Sequence, residues 1–147
     1  MNKFKPREVY EIFDRVQAAA TQDERIAVLK ENDCPAIRDV LRAAFDDTIV
    51  FTIPEGAPDY KDSLSKDGNA PTSLMRATRD FTFFVKRGKG DALNQTKRER
   101  LFLAMLEGIH PRDAKIVIAM KDKKLQDEYS SLSKELVKAV FPKLILS

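Results

Sequence analysis

Apolar residues recur along this chain at spacings of three and four, the pattern of helices that bury one face. Val9, Ile12, Phe13 and Val16 set the first stripe, and with Pro6 as a suitable opening residue they predict a helix over about Pro6–Ala20. Thr21 followed by Glu24 forms a capping box for a second helix, whose buried face is Ile26, Ala27 and Leu29 and which Asn32 ends. A third opens at Pro35, carries Ile37, Val40, Leu41, Ala44 and Phe45, and closes at Asp46 and Asp47. Thr48–Pro54, TIVFTIP, is the one segment with β-branched residues in alternation. With no second strand to pair with, it reads as a buried extended segment or a short helix. Residues 55–71 are polar and rich in glycine and proline, a surface excursion rather than a domain boundary.

The stretch from Phe81 to Pro111 holds the densest information. A helix predicted from Pro71 runs through Leu74, Met75, Thr78, Phe81 and Val85. Phe81, Phe83, Phe84 and Val85 cannot all face one side of it, so this segment is expected at the centre of the fold. It stops at Lys86-Arg87-Gly88-Lys89-Gly90, where glycine permits a positive φ and a close approach to the backbone. The helical period then resumes with Leu93, Leu101, Phe102, Met105 and Leu106 on one face and Lys97, Arg98 and Arg100 away from it. His110 precedes Pro111 as a cap rather than a catalytic base, ahead of Ile116, Val117, Ile118, Met120 and Leu125. Ser130, Ser131 or Ser133 caps a last helix with Leu136, Val137, Val140 and Phe141 inward, and Pro142 terminates it. The expected fold class is therefore all-α: one compact domain, 1–147, of about six to seven helices.

Charge adds an asymmetry that the total of +3 conceals. Residues 1–73 carry 10 Lys and Arg against 14 Asp and Glu, net −4, whereas residues 74–147 carry 16 against 9, net +7. The second half is thus the electrostatic face for a polyanion, unless its cations only solvate helix surfaces. No apolar run reaches the roughly 20 residues of a membrane span, and the start MNKFKPREVY is too polar for a signal peptide. A cytoplasmic protein is expected, with no membrane partner.

Candidate chemistry is sparse. One cysteine, Cys34, and one histidine, His110, can assemble neither the usual nucleophilic triads nor a zinc site. Cys34 has no cationic or histidine neighbour in sequence and reads as a small structural residue. Lys66-Asp67-Gly68 lies in the polar loop and lacks the spacing of a nucleotidyl-transferase lysine. No acidic cluster has metal-loop spacing. The expectation is a protein that is not an enzyme, with no cofactor, no metal and no small-molecule substrate. The exposed basic glycine turn points instead toward phosphate.

Several strings, in order, resemble the N-terminal all-helical DNA-binding domain of the ATP-dependent DNA ligases of T-even-type bacteriophages. They are VYEIFDRVQAAATQDERIAVLKEND with IRDVLRAAFDD, then FTFFVKRGKGDALN, then LAMLEGIHPRDAKIVIAMKDKKL, and finally SKELVKAVFPKLI. Together they span nearly the whole chain. In that family the domain binds duplex DNA around a nick through backbone and minor-groove contacts, and a catalytic domain follows it. The resemblance implies a stand-alone, phage-encoded relative without ligase activity, acting in the cytoplasm of the infected cell.

Carried over by position, the resemblance implies that the turn of Lys86, Arg87, Gly88, Lys89 and Gly90 approaches DNA, with Lys97 and Arg98 beside it. It further implies that Ser130, Ser131 and Lys134 form a phosphate-contacting turn, with Lys138 on the helix that follows. There the family has a glycine, whereas this chain has LQDEYSS, with Asp127 and Glu128 in its place. Two functional expectations follow. One is a non-enzymatic binder of double-stranded DNA, nicked or intact; the other is a protein-interaction or structural protein that uses the same scaffold on a phage or host protein. Convergence of the cations on one face favours the first, and scatter favours the second.

Overall fold

The structure is a computed structural model that describes residues 8–61 and 70–147. The expected helix start at Pro6 and the Lys66-Asp67-Gly68 triplet lie outside the described residues. Among those described, the chain is all-α, a single compact domain of eight α-helices and two short 3-10 helices. The helices are α1 (Val9–Ala18), α2 (Gln22–Glu31), α3 (Pro35–Phe45), α4 (Leu74–Ala77), α5 (Gln95–Gly108), α6 (Pro111–Lys121), α7 (Leu125–Glu128) and α8 (Lys134–Val140).

Local chemistry sets most of the boundaries. Thr21 Oγ1 accepts the Glu24 N–H at 3.2 Å, Pro35 occupies the first turn of α3, and Ser133 Oγ accepts the Leu136 N–H at 3.1 Å. His110 caps α6, its Nδ1 accepting the Arg112 N–H at 3.1 Å, as expected of a residue before Pro111.

The centre of the domain is α6, which packs against α1, α3, α5 and α7. It buries Ala114, Ile116, Val117, Ala119 and Met120, and with them Asp113 and Lys121. A buried ammonium must be hydrogen-bonded to be tolerated. Lys121 Nζ donates to the carbonyls of Pro54 and Gly56 at 2.8 and 3.1 Å and to the adjacent Asp122 carboxylate, so α6 anchors the start of the polar excursion. Asp46 is also fully buried at the end of α3, where it accepts from Thr48 N–H and Oγ1 and from Leu146 N–H.

The segment expected as one helix from Pro71 to Val85 is instead α4 followed by a 3-10 helix over Thr78–Phe83. Three residues per turn put positions 78, 81 and 84 on one side, and Thr78, Phe81 and Phe84 are the three that are buried. An α-helix would have swung one of them outward, so tighter winding resolves the crowding. Phe84 meets Phe102 of α5 edge-on, with ring centroids 5.3 Å apart.

The extended segment finds a partner that sequence did not offer. Thr52 N–H donates to Phe84 O at 2.7 Å and Lys86 N–H to Val50 O at 2.8 Å, around an isolated antiparallel bridge between Phe51 and Val85. Val85, expected in a helix, thus emerges extended and carries the chain directly into the basic turn.

Candidate nucleic-acid interface

The basic turn is held rigid from within. Arg87 N–H donates to Asp91 Oδ2 at 2.9 Å, Gly88 N–H to Val85 O at 3.2 Å and Lys89 N–H to Thr82 Oγ1 at 3.0 Å. These N–H groups are therefore occupied, which corrects the expectation of bare donors waiting for phosphate. The glycines serve the same interior. A Cβ on Gly88 would lie 2.2 Å from Thr82 O, and one on Gly90 would lie 1.9 Å from Phe83 O. It is the chain's own 3-10 helix that approaches the glycine backbone. Neither glycine takes a positive φ; the residue in the left-handed region is Arg87, at φ 70°.

What the turn offers outward is cationic side chains. Lys86, Arg87 and Lys89 are all exposed, as is Lys97 in the first turn of α5, and none has an ion-pair partner among the described residues. Arg98 differs: its Nη1 donates to Gly90 O at 2.9 Å and Leu93 O at 2.7 Å, while Nη2 holds Gln95 Oε1 at 2.7 Å. Arg98 clamps the turn onto α5 and is a positioning residue for its neighbours.

The second expected group is placed by other elements. Gln17 of α1 donates to Ser130 Oγ at 2.9 Å and accepts the Ser131 N–H at 2.9 Å, so these serines fasten the α7–α8 connection to α1. Lys138 is exposed on α8, which packs against α2. Lys134 donates to Ser147 Oγ at 3.1 Å and lies 3.6 Å from the Asp47 carboxylate. Three residues separate Asp47 from Val50, the partner of Lys86, a reach of at most about 10 Å. Lys134 thus has its charge met by Asp47, near the end of α3, and no contact joins it to the turn among the described residues.

Surface clefts extend the cationic region past the turn. A 330 Å³ cleft beside it is lined by Arg42 and Arg79 together with Thr82 and Val85, which hold the N–H groups of Lys89 and Gly88. Arg79 is shared with a larger cleft of 680 Å³ between the α4–3-10 segment and α5, which also includes Arg76, Phe83, Leu101 and Met105. Arg42 is shared with a 530 Å³ cleft beside Phe141 that includes Arg38 and Lys143. Arg42, Arg76, Arg79 and Lys143 were not singled out from sequence. In sequence they are scattered over α3, the α4–3-10 segment and the C-terminal loop, and tertiary contacts bring them to the linings of adjoining clefts. Asp39 in the smaller cleft and Asp80 in the larger temper that charge.

A separate polar cluster joins α1 to α6. Arg112 makes paired 2.6 Å hydrogen bonds to both carboxylate oxygens of Asp14 and lies over the Tyr10 ring, which itself stacks on His110 with centroids 4.4 Å apart. Beneath it, Asp113 is fully buried, with Oδ1 accepting the Tyr10 N–H at 2.9 Å. Burial, reinforced by the neighbouring Glu8 and Glu11 carboxylates and only partly offset by that N–H, pushes the Asp113 carboxyl up to about 8. Asp113 Oδ2 is buried with no hydrogen-bond partner among the described residues, which adds to the cost of ionising this carboxyl. The described residues contain no group of three or more His, Cys, Asp or Glu able to hold a metal ion, and no described helix is long and apolar enough to cross a membrane.

No curated protein and no solved structure matches the chain. Residues 12–127 match the family described as "Family of unknown function (DUF6433)", whose description assigns no activity. Since that match covers most of the 147 residues, the chain belongs to the DUF6433 family.

Proposed function

We propose that this protein is a non-enzymatic duplex DNA-binding module that grips the phosphate backbone with the cationic turn Lys86–Lys89. The observation that carries the reading is Arg87, an exposed arginine held at φ 70° on a turn whose backbone is locked by its own hydrogen bonds. A left-handed conformation costs an ordinary residue about 1–2 kcal/mol, and strain of this kind concentrates at functional positions. Glycine would sit there without strain, so what the arginine adds is its exposed guanidinium, on a backbone segment that also carries Lys86 and Lys89. Rigid presentation lowers the ordering cost of binding. The resemblance to the phage ligase DNA-binding domain points to the same turn, although the mode of approach differs: side chains reach outward and the backbone faces inward.

Lys86, Arg87, Lys89 and Lys97, exposed and without an ion-pair partner among the described residues, give a quantitative expectation. If each neutralises one phosphate, log K falls with log salt at a slope of about −3.6. Fluorescence anisotropy of a labelled duplex, titrated with the protein over a series of salt concentrations, measures this slope. A slope near zero would overturn the reading.

One observation favours a second reading, a protein-docking scaffold. The 530 Å³ cleft beside Phe141 is lined by Arg42 and Lys143, by Arg38, whose charge is met by Asp33 outside the lining, and by apolar Leu144 and Leu146, and Leu146 is 72% exposed. A groove of that composition suits an acidic peptide with an apolar anchor. In a protein whose duplex affinity proved independent of salt, this cleft would be the surface to probe.

A further inference from the structure

The 680 Å³ cleft between the α4–3-10 segment and α5 is not used by a phosphate grip at the turn. Its size falls within the roughly 300–1,000 Å³ of small-ligand sites. Its lining combines two chemistries. Phe83, Leu101 and Met105 supply an apolar wall, while Arg76 and Arg79 supply cations opposed by one carboxylate, Asp80. The local winding explains the arrangement, since the three-residue repeat that buries Phe81 and Phe84 turns Asp80 and Phe83 to the cleft side. An apolar wall with an aromatic ring, flanked by guanidinium groups, is a platform for a base and its phosphate.

The cleft is also continuous with the cationic turn. Arg79 belongs to both this cleft and the smaller one bordered by Thr82 and Val85, which hold the N–H groups of Lys89 and Gly88. Phe83 and Lys86 are three residues apart, at most about 10 Å, or about three steps of a strand rising 3.4 Å per nucleotide. A strand held at Lys86 therefore has the cleft wall within about three nucleotide steps.

We infer that this cleft receives one unpaired nucleotide of a DNA strand held by the turn, its base against Phe83, Leu101 and Met105 and its phosphate on Arg76 and Arg79. This rests on the DNA-binding reading and narrows it: the protein prefers DNA in which a base is already out of the stack, because a paired base must first be unpaired and unstacked.

The test compares a short duplex containing one unpaired thymidine with the fully paired duplex of otherwise identical sequence, by anisotropy against the full chain at fixed salt. Wild-type protein is expected to bind the unpaired form about tenfold more tightly, within the range of one base stacked on protein. Ala104→Trp fills the cleft from an exposed position on its wall. With its fold verified by circular dichroism, it should bring the ratio near one at unchanged salt slope. Arg79→Ala, at an exposed position that needs no repacking, should lower the ratio several-fold. Equal binding of the two duplexes by wild-type protein, with strong salt dependence for both, would overturn the cleft inference and leave the DNA reading standing. A preference that survives in folded Ala104→Trp would also overturn it, assigning the preference to a bent duplex. Binding of neither duplex would remove the DNA reading, and the inference with it.

Discussion

Arg87, Gly90 and Asp113 each sit where the local backbone or solvent would favour something else, and each makes a separable prediction. Arg87→Gly relieves a left-handed residue, so folding stability in chemical denaturation should change by no more than about 1 kcal/mol while the salt slope of DNA binding flattens by about 0.9. A loss of stability well beyond that would show the side chain to be structural. Gly90→Ala carries the opposite expectation. Its Cβ would meet the Phe83 backbone at 1.9 Å, so the variant should lose at least about 2–3 kcal/mol of stability even though no charge changes. The sequence marked both glycines as important, but for phosphate access; that they face the chain's own 3-10 helix requires knowing where Thr82 and Phe83 go. Asp113 stands in the first turn of α6, where a carboxylate would favour the helix dipole, yet it is fully buried. Its carboxyl is raised in the folded state to about 8 from 3.8, so the folded protein binds this proton more tightly than the unfolded chain does. The resulting stabilisation is fully present below about pH 4 and is lost as pH rises toward 8. Asp33 and Asp46, both held below the usual carboxylate range, act in the opposite sense only under more acidic conditions. Thermal denaturation from pH 5 to 8.5 should therefore show falling stability in wild-type protein, and Asp113→Asn should flatten that trend. An unchanged profile in Asp113→Asn would assign the dependence to another group.

At the scale of elements, what could be read from sequence were the helices whose caps and periodicity agree. Thr21, Pro35, Pro111 and Ser133 open helices where expected, the stripes of α1 and α8 are buried throughout, and those of α3 and α6 are buried except for the half-buried Phe45 and Ile118. The misses fall where a tertiary contact overrode the period. The α4 helix gives way to 3-10 winding because Thr78, Phe81 and Phe84 must share one side. The Phe51–Val85 bridge joins segments separated by the whole polar excursion, a pairing with no local signal. Lys123, at φ 60°, breaks the predicted continuation of α6 so that its ammonium can reach the Ala43 and Asp46 carbonyls at the end of α3. Phe84, fully buried against Phe102, joins two of these segments to the core. Phe84→Ala should cost about 3–5 kcal/mol in chemical denaturation. A change under about 1 kcal/mol would show the 3-10 segment to be peripheral.

On the scale of the whole molecule, the net positive second half resolves into cations with different tasks. Arg98, Arg112, Lys121 and Lys123 are spent on internal carbonyls and carboxylates, and Lys134 is met by Asp47. Lys86, Arg87, Lys89 and Lys97 remain exposed beside a line of clefts. Counting charge along the sequence could not separate these groups, since whether a lysine is free depends on which carbonyl the fold brings to it. The most direct measurement is the salt dependence of duplex binding for the variant Lys86→Ala, Arg87→Gly, Lys89→Ala beside wild-type protein. The rigid turn as phosphate grip predicts that the slope of log K against log salt flattens by about 2.7, with circular dichroism unchanged. A folded variant that binds duplex with the wild-type slope would contradict it.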